Sequence, residues 1–349
     1  MSFKIKSLCL KFTTLLNFML ICLTGWTQYN FSGVDSFLLN NQKALGNNIA
    51  TIIYKDDKII YQKALGEEFN IKTRAPIANT SKWLTAALVM TFVDEGKISL
   101  DEKVSNYLPI FETYGKTYIT IRQCLSHTTG IADNSKSVGK ILDKKRFESL
   151  EEEVNSFVKK EIAANPSTSF FYGNMGPNIA GRVLEVITKK SFETLIKQRI
   201  FTPLEMKSSS FIPEDGPVNP SVGAESSAAD YINFLSMILN KGMYKGKRIL
   251  SEKAIAEMQT VQTKKVEKKY VPKLAEGYEY GLGEWIEEQD SNGNSVVISC
   301  SSLAGTYPYI DKCRNYACVF FIKKQNELKK ELYQELKKKI DAQMAAGCK

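Results

Sequence analysis

The way strand-like and helix-like spacing is distributed along this 349-residue chain constrains its fold more than any other feature. Strand signals stand near both ends, and helical spacing fills the middle. Residues 49–54 and 58–65 are rich in β-branched and aromatic side chains around Asp56-Asp57, which predicts a hairpin. A first helix is expected over 35–45. Helical spacing then recurs over 80–95, 120–126, 151–162, 175–188, 192–200, 227–240 and 252–259. In the first of these, Leu84, Ala87, Leu88, Thr91 and Phe92 mark a buried face and Gly96 stops the helix. Strands return over 281–287, 295–300, 306–311 and 316–322. A closing helix over 325–344 carries Leu328, Leu332, Leu336 and Ile340 as an apolar stripe. One sheet made from both chain ends is the economical solution. The expected fold is α/β (α+β): an antiparallel β-sheet flanked by N- and C-terminal helices, with a large helical insert. The sheet part is expected in about 30–75 and 275–349 and the insert in about 76–270, with a cleft between them.

Composition removes several function classes. With 43% hydrophobic and 24% charged residues, the chain reads as an ordinary globular protein. The net charge is +9, and part of the excess collects at Lys323, Lys324, Lys329, Lys330 and Lys337 to Lys339. A solvated helix face accounts for that, and no nucleic-acid motif accompanies it, so no nucleic-acid partner is expected. Lys4 and Lys6 precede an apolar run over 12–23, too short for a comfortable membrane span. Residues 1–27 therefore read as a signal peptide cut near Thr27 or Gln28, with an uncleaved anchor as the alternative. Ile21 before Cys22 argues against lipidation. Residues 28–349 would then be one exported domain, periplasmic or secreted, with no stable membrane span after cleavage. A monomer is expected by default.

Cys124, Cys300, Cys313, Cys318 and Cys348 remain after the leader. Cys313 and Cys318 could face each other across a hairpin, but free or buried thiols are the preferred reading. No metal-ligand spacing occurs, and the single histidine, His127, rules out a His-rich zinc site. No metal or organic cofactor is implied.

An ordered series of short motifs runs through the insert and the late strands. It comprises Ile77-Ala78-Asn79-Thr80-Ser81-Lys82-Trp83, then Val93-Asp94-Glu95-Gly96-Lys97, then Leu125-Ser126-His127-Thr128-Thr129-Gly130. Phe171-Tyr172-Gly173-Asn174, Pro203-Leu204-Glu205-Met206, Tyr280-Gly281-Leu282-Gly283 and Gly305-Thr306-Tyr307-Pro308 follow. In order and spacing the series resembles the serine β-lactamase and penicillin-binding-protein superfamily, in particular its class C β-lactamase-related, D-Ala-D-Ala carboxypeptidase and esterase group. The resemblance covers roughly residues 33–322, and it implies a β-lactamase/transpeptidase-like fold.

The resemblance also assigns roles. In that group the first motif is S-x-x-K, whose serine is acylated while the lysine one turn on removes its proton. Here Lys82 is present, but Asn79 stands at the nucleophile position. A carboxamide has no hydroxyl to deprotonate and its nitrogen lone pair is delocalised, so the acyl-enzyme route is closed by chemistry. Thr80 and Ser81 each point about 100° away on a helix and do not replace it. Tyr172 and Asn174 match Y-x-N: the tyrosine as partner acid or base, with a nearby cation favouring its phenolate, and the asparagine as orienter of a substrate amide. The third motif, Lys or His followed two residues later by Gly, falls by a gap-free count on Cys300-Ser301-Ser302. The oxyanion N–H groups would belong to Asn79 and Leu303. His127 reads as a turn-stabilising residue. Cys300 could act as a thiolate, but a buried or cleft-lining thiol is the preferred reading.

The resulting expectation is a hydrolase-family protein whose acyl-transfer activity is lost or impaired. Its cleft would be kept for a small-molecule or peptide ligand of the D-amino-acid peptide, lactam or ester type, for cell-wall fragments, or for a partner protein. An active β-lactamase, D-amino-acid peptidase or esterase with a relocated nucleophile is the alternative. A scaffold acting through the basic C-terminal helix is a third reading with little in its favour.

Overall fold

The computed structural model describes residues 29–131, 147–213, 216–302, 305–323 and 330–344. The expected leader, residues 1–27, and Leu303 and Leu328 lie outside them. Among the described residues the main sheet has seven antiparallel strands. They are β1 (Ile49–Lys55), β2 (Lys58–Leu65), β3 (Glu279–Tyr280), β4 (Trp285–Gln289), β5 (Ser295–Ser299), β6 (Tyr307–Asp311) and β7 (Tyr316–Ile322), in the order β2-β1-β7-β6-β5-β4-β3. The two ends of the chain meet where β1 pairs with β7, Ile49 opposite Ile322 and Lys55 opposite Tyr316. Asp56 and Asp57 turn the first hairpin with φ of 48° and 59°. Two successive left-handed residues match the twist of the strands they join, and aspartate tolerates that region better than most side chains.

Five helices matter to the sheet and the site: α1 (Ser32–Asn40), α2 (Ser81–Asp94), α3 (Met175–Thr188), α4 (Ala228–Leu239) and α5 (Lys330–Asp341); α4 lies against β1, β6 and β7, whereas α2 and α3 pack with other helices of the insert. Strand β7 shows why both faces need cover. Tyr316, Cys318, Phe320 and Ile322 join the cluster under α1 and α5, while Ala317, Val319 and Phe321 join the core shared with the helical insert. A strand buried on both faces reads as a continuous apolar run, and 316–322 does. The closing helix presents Leu336 and Ile340 to the sheet as its stripe requires, joined by Tyr333, whose ring stacks on Tyr307 at 4.5 Å. A charged group fastens its last turn: Lys337 Nζ lies 2.8 Å from Asp341 and 3.5 Å from the buried Asp311, which also pairs with Arg314 at 2.8 Å.

Helix α2 is buried on every side from Ser81 to Phe92, so it is the axis of the insert rather than a surface helix with one apolar face. Its first turn is pinned by the short pairing of Ala75–Pro76 with Glu225–Ser226 and by Ile77 N–H donating to the Ala224 carbonyl at 2.9 Å.

Two expectations are corrected. The strand expected over 281–287 is split: Gly281 to Gly283 form a turn between β3 and β4, because Gly283 takes φ of +81° to let the chain lie against α2. Cys313 departs from the preferred reading of free or buried thiols, because it is disulfide-bonded; Cys318 fits that reading as a free, buried thiol on the α1 and α5 side of β7, so the two do not pair across the hairpin. A Cβ at Gly283 would stand 2.5 Å from Ala86 Cβ and 2.7 Å from the Lys82 carbonyl oxygen. Gly283→Ala is therefore expected to lose about 2 kcal/mol or more in urea unfolding. Gly293→Ala, also at positive φ but with nothing near its Cβ, should lose less. Equal losses at the two positions would show that close approach to α2 is not what Gly283 provides.

Candidate active site

The site is built at the entrance of α2. Ala78 holds φ of +44°, a strained value for an alanine, and Ala78–Thr80 form a single 3-10 turn before the helix proper. This kink presents residue 79 at the helix N-terminus and sets Lys82 one turn behind it. Lys82 is 1% exposed and reaches three oxygens: Asn79 Oδ1 at 3.1 Å, Asn174 Oδ1 at 3.1 Å and the Ser221 carbonyl at 3.3 Å. Its ammonium also lies 4.9 Å from the centre of the Tyr172 ring. All four partners are neutral. Burial without a carboxylate lowers the lysine pKa to about 7, against a smaller opposing effect of Cys300.

Asn79 is half-buried and Asn174 is exposed, so two carboxamides stand in front of the lysine. Each turns its oxygen inward to the ammonium, which directs its NH2 group away from it. The neighbouring hydroxyls are committed elsewhere. Thr80 Oγ1 donates to the Cys300 carbonyl at 3.0 Å, and Ser81 Oγ accepts from Ala224 N–H at 3.0 Å.

Tyr172 differs from expectation in one respect. Lys82 meets the face of its ring, and burial raises the phenol pKa well above its usual value, so the phenolate is disfavoured. Its hydroxyl is buried without a hydrogen-bond partner among the described residues. The ring is wedged among Trp285, His127 and Tyr280, with centroids 4.9, 4.7 and 5.8 Å away. His127 is buried and its pKa is pushed well below the usual value by burial, then by the nearby Lys82. Its Nε2 lies 3.2 Å from Tyr280 Oη, and its backbone, at φ of 58°, accepts from Phe171 N–H. It thus braces the Tyr172 segment, a structural part.

Cys300 lies just beyond β5, beside the nucleophile position: Sγ is 3.5 Å from the Asn79 carbonyl and 3.5 Å from that of Gly283. The thiol is fully buried and its pKa is raised to about 12, burial outweighing the nearby Lys82. Ser302 is also buried, in a turn closed by its N–H to the Thr306 carbonyl at 3.0 Å.

Sequence reasoning missed three contributors. Ser221 supplies a carbonyl to Lys82 and is itself held by Asn178 and Asn219. Tyr231 donates its hydroxyl to the Thr80 carbonyl at 3.1 Å. Glu284 is buried near Cys300, and among the described residues neither its carboxylate oxygens nor the nearby Trp83 indole N–H has a well-formed hydrogen bond. The composition of Asn219-Pro220-Ser221 gave no chemical signal, whereas a glutamate beginning an apolar strand could have been singled out.

Comparison with known proteins agrees with the geometry. The β-lactamase family model matches residues 42–340. The chain belongs to the β-lactamase family. Among solved structures, a β-lactamase candidate from Bacteroides dorei superposes with a TM-score of 0.80 at 30% identity, over 90% of this chain and 98% of the other. A penicillin-binding protein homologue from Pyrococcus abyssi, described as octameric, shares the fold at TM-score 0.69 and 22% identity, over 84% and 74%. Penicillin-binding protein 4 of Amycolatopsis lactamdurans is 34% identical over 141 residues, 39% of this chain and 36% of that one. Protein flp of Staphylococcus aureus is 27% identical over 170 residues, 46% of this chain and 34% of that one. The chain thus spans only about a third of the length of these two relatives. Among the described residues, no helix is long and apolar enough to cross a membrane.

Burial raises the Glu284 pKa from 4.5 to about 8, Lys312 and Trp83 opposing it weakly. The folded value lies above the unfolded one, so burying this acid costs least below about pH 4.5 and most above about pH 8. Lys82 runs the other way, its cost being full below about pH 7 and vanishing as pH rises toward 10.5. Glu284→Gln is therefore expected to stabilise this β-lactamase-family chain by on the order of 1–3 kcal/mol at pH 8 and little at pH 4.5. Urea midpoints of both chains across that range check it, and a pH-independent difference would refute the assignment.

Proposed function

We propose that this chain binds a ligand in its β-lactamase-family cleft without forming an acyl-enzyme. The observation that carries the reading is the Asn79 carboxamide, hydrogen-bonded to Lys82 where the family places a serine hydroxyl. Support comes from the lack of a substitute. Thr80 and Ser81 are engaged with backbone groups, and the Cys300 thiol is buried and protonated at neutral pH. The NH2 groups of Asn79 and Asn174 are turned away from the ammonium and suit ligand carbonyl or carboxylate oxygens. The ligand class is a D-amino-acid peptide, a cell-wall fragment, or a related lactam or ester. Export to the periplasm or cell exterior goes with this reading, supported by the leader-like first 27 residues and by the disulfide at Cys313. The protein acts as a monomer.

The test is acylation. The purified mature chain, Asn79→Ser and Lys82→Ala are incubated with a fluorescent penicillin and a chromogenic ester, and covalent adducts are sought by mass spectrometry. No adduct is expected on the native chain, and one is expected on Asn79→Ser, with ester turnover rising at least tenfold above the native chain. An adduct on the native chain that disappears in Lys82→Ala would overturn the reading and establish an active hydrolase with a relocated nucleophile, which peptide mapping would name.

A further inference from the structure

Lys82 is the one nucleophile left at the heart of this site, and an electrophilic carbon is already within its reach. Three features meet there. Its nitrogen is hydrogen-bonded to Asn79 Oδ1 at 3.1 Å, which holds it within a side-chain torsion of the carboxamide carbon. Asn79 sits in the 3-10 turn Ala78–Thr80 that leads into α2, which sets it one turn ahead of Lys82. The cage around the amine is neutral: two carboxamide oxygens, one backbone carbonyl and an aromatic face. With no carboxylate to keep it charged, the amine is in part unprotonated near neutral pH. An intramolecular partner held at contact distance has an effective concentration that no dissolved electrophile matches.

We propose that Lys82 and Asn79 are the partners of a self-forming isopeptide bond. The neutral Lys82 amine attacks Asn79 Cγ, the new C–N bond forms, the Cγ–Nδ2 bond breaks, and ammonia leaves. One proton moves from the attacking nitrogen to the departing one, so no oxidant, metal or co-reactant is needed. The product is a secondary amide closing the first turn of α2. It removes the uncompensated buried charge and locks the residue 79 position. The bond releases the Asn79 NH2 group, so in the linked chain the Asn174 NH2 alone is turned toward a ligand.

The experiment is a tryptic map of the purified native chain after denaturation, with Lys82→Met and Asn79→Ala alongside. Trypsin cuts after a free lysine but not after one whose amine is acylated. The expected result is a fragment spanning 75–97, lighter than its sequence by one ammonia, with cleavage after Lys82 at least tenfold reduced. Neither Lys82→Met nor Asn79→Ala should show the ammonia loss. A fragment 75–82 of full mass from the native chain would overturn the proposal. So would a fragment 75–82 that has lost ammonia but is still cut after Lys82, because that marks a cyclic imide within the backbone. Acylation of Asn79→Ser, where this bond cannot form, reports on the ligand reading separately.

Discussion

A lysine ammonium buried without a carboxylate is the constraint around which this site is organised. An unpaired charge in a protein interior is among the most costly groups a fold can hold, and neutral oxygens relieve that cost only if several converge. Asn79, Asn174 and Ser221 converge on Lys82 from three separate segments, and the face of Tyr172 closes the fourth side. Each segment is fixed in turn. The Ala75–Pro76 pairing pins the entrance of α2, His127 and Trp285 wedge Tyr172, and Asn178 and Asn219 hold the Ser221 loop. The geometry of the cleft is therefore the geometry of solvating one cation.

Much of the architecture was legible in the sequence because two different periodicities were spatially separated along the chain. Residues 175–188 and 316–322 carry uninterrupted patterns, and their elements have those bounds. The patterns fail where tertiary packing overrides them. The amphipathic spacing of Leu84, Ala87, Leu88, Thr91 and Phe92 suggested a helix with one buried face, but α2 is surrounded by protein and buries its polar positions too. The stretch 281–287 looked like one strand, because a left-handed glycine within an apolar run is not visible as a turn until something packs against it.

At the site, chemistry was more legible than conformation. Lys82 lies against Tyr172 and Asn174, which come from a second place in the sequence, and Cys300 lies at the backbone of Asn79. What the residues could not announce was backbone: the positive φ of Ala78 and the Ser221 carbonyl that completes the lysine cage. Nor did the sequence reveal that burial would override the lysine as the determinant of the Tyr172 proton. A cation beside a phenol favours phenolate only when the hydroxyl itself is approached, and here the ammonium approaches the ring.

The altered third motif has an electrostatic logic of its own. The family pattern has a cationic or imidazole group where Cys300 stands, beside a serine that passes through anionic intermediates. On the proposed reading no anion develops at Asn79, and a second cation next to Lys82 would face only repulsion in a region sealed from water. A thiol is a smaller, neutral occupant that donates weakly to the Asn79 and Gly283 carbonyls and fills the volume. Glu284, protonated and lodged behind it, adds no charge either near neutral pH. On the proposed reading the groups at 79 and 300 answer to the same cation, and these neutral surroundings leave Lys82 as an amine close to its own deprotonation.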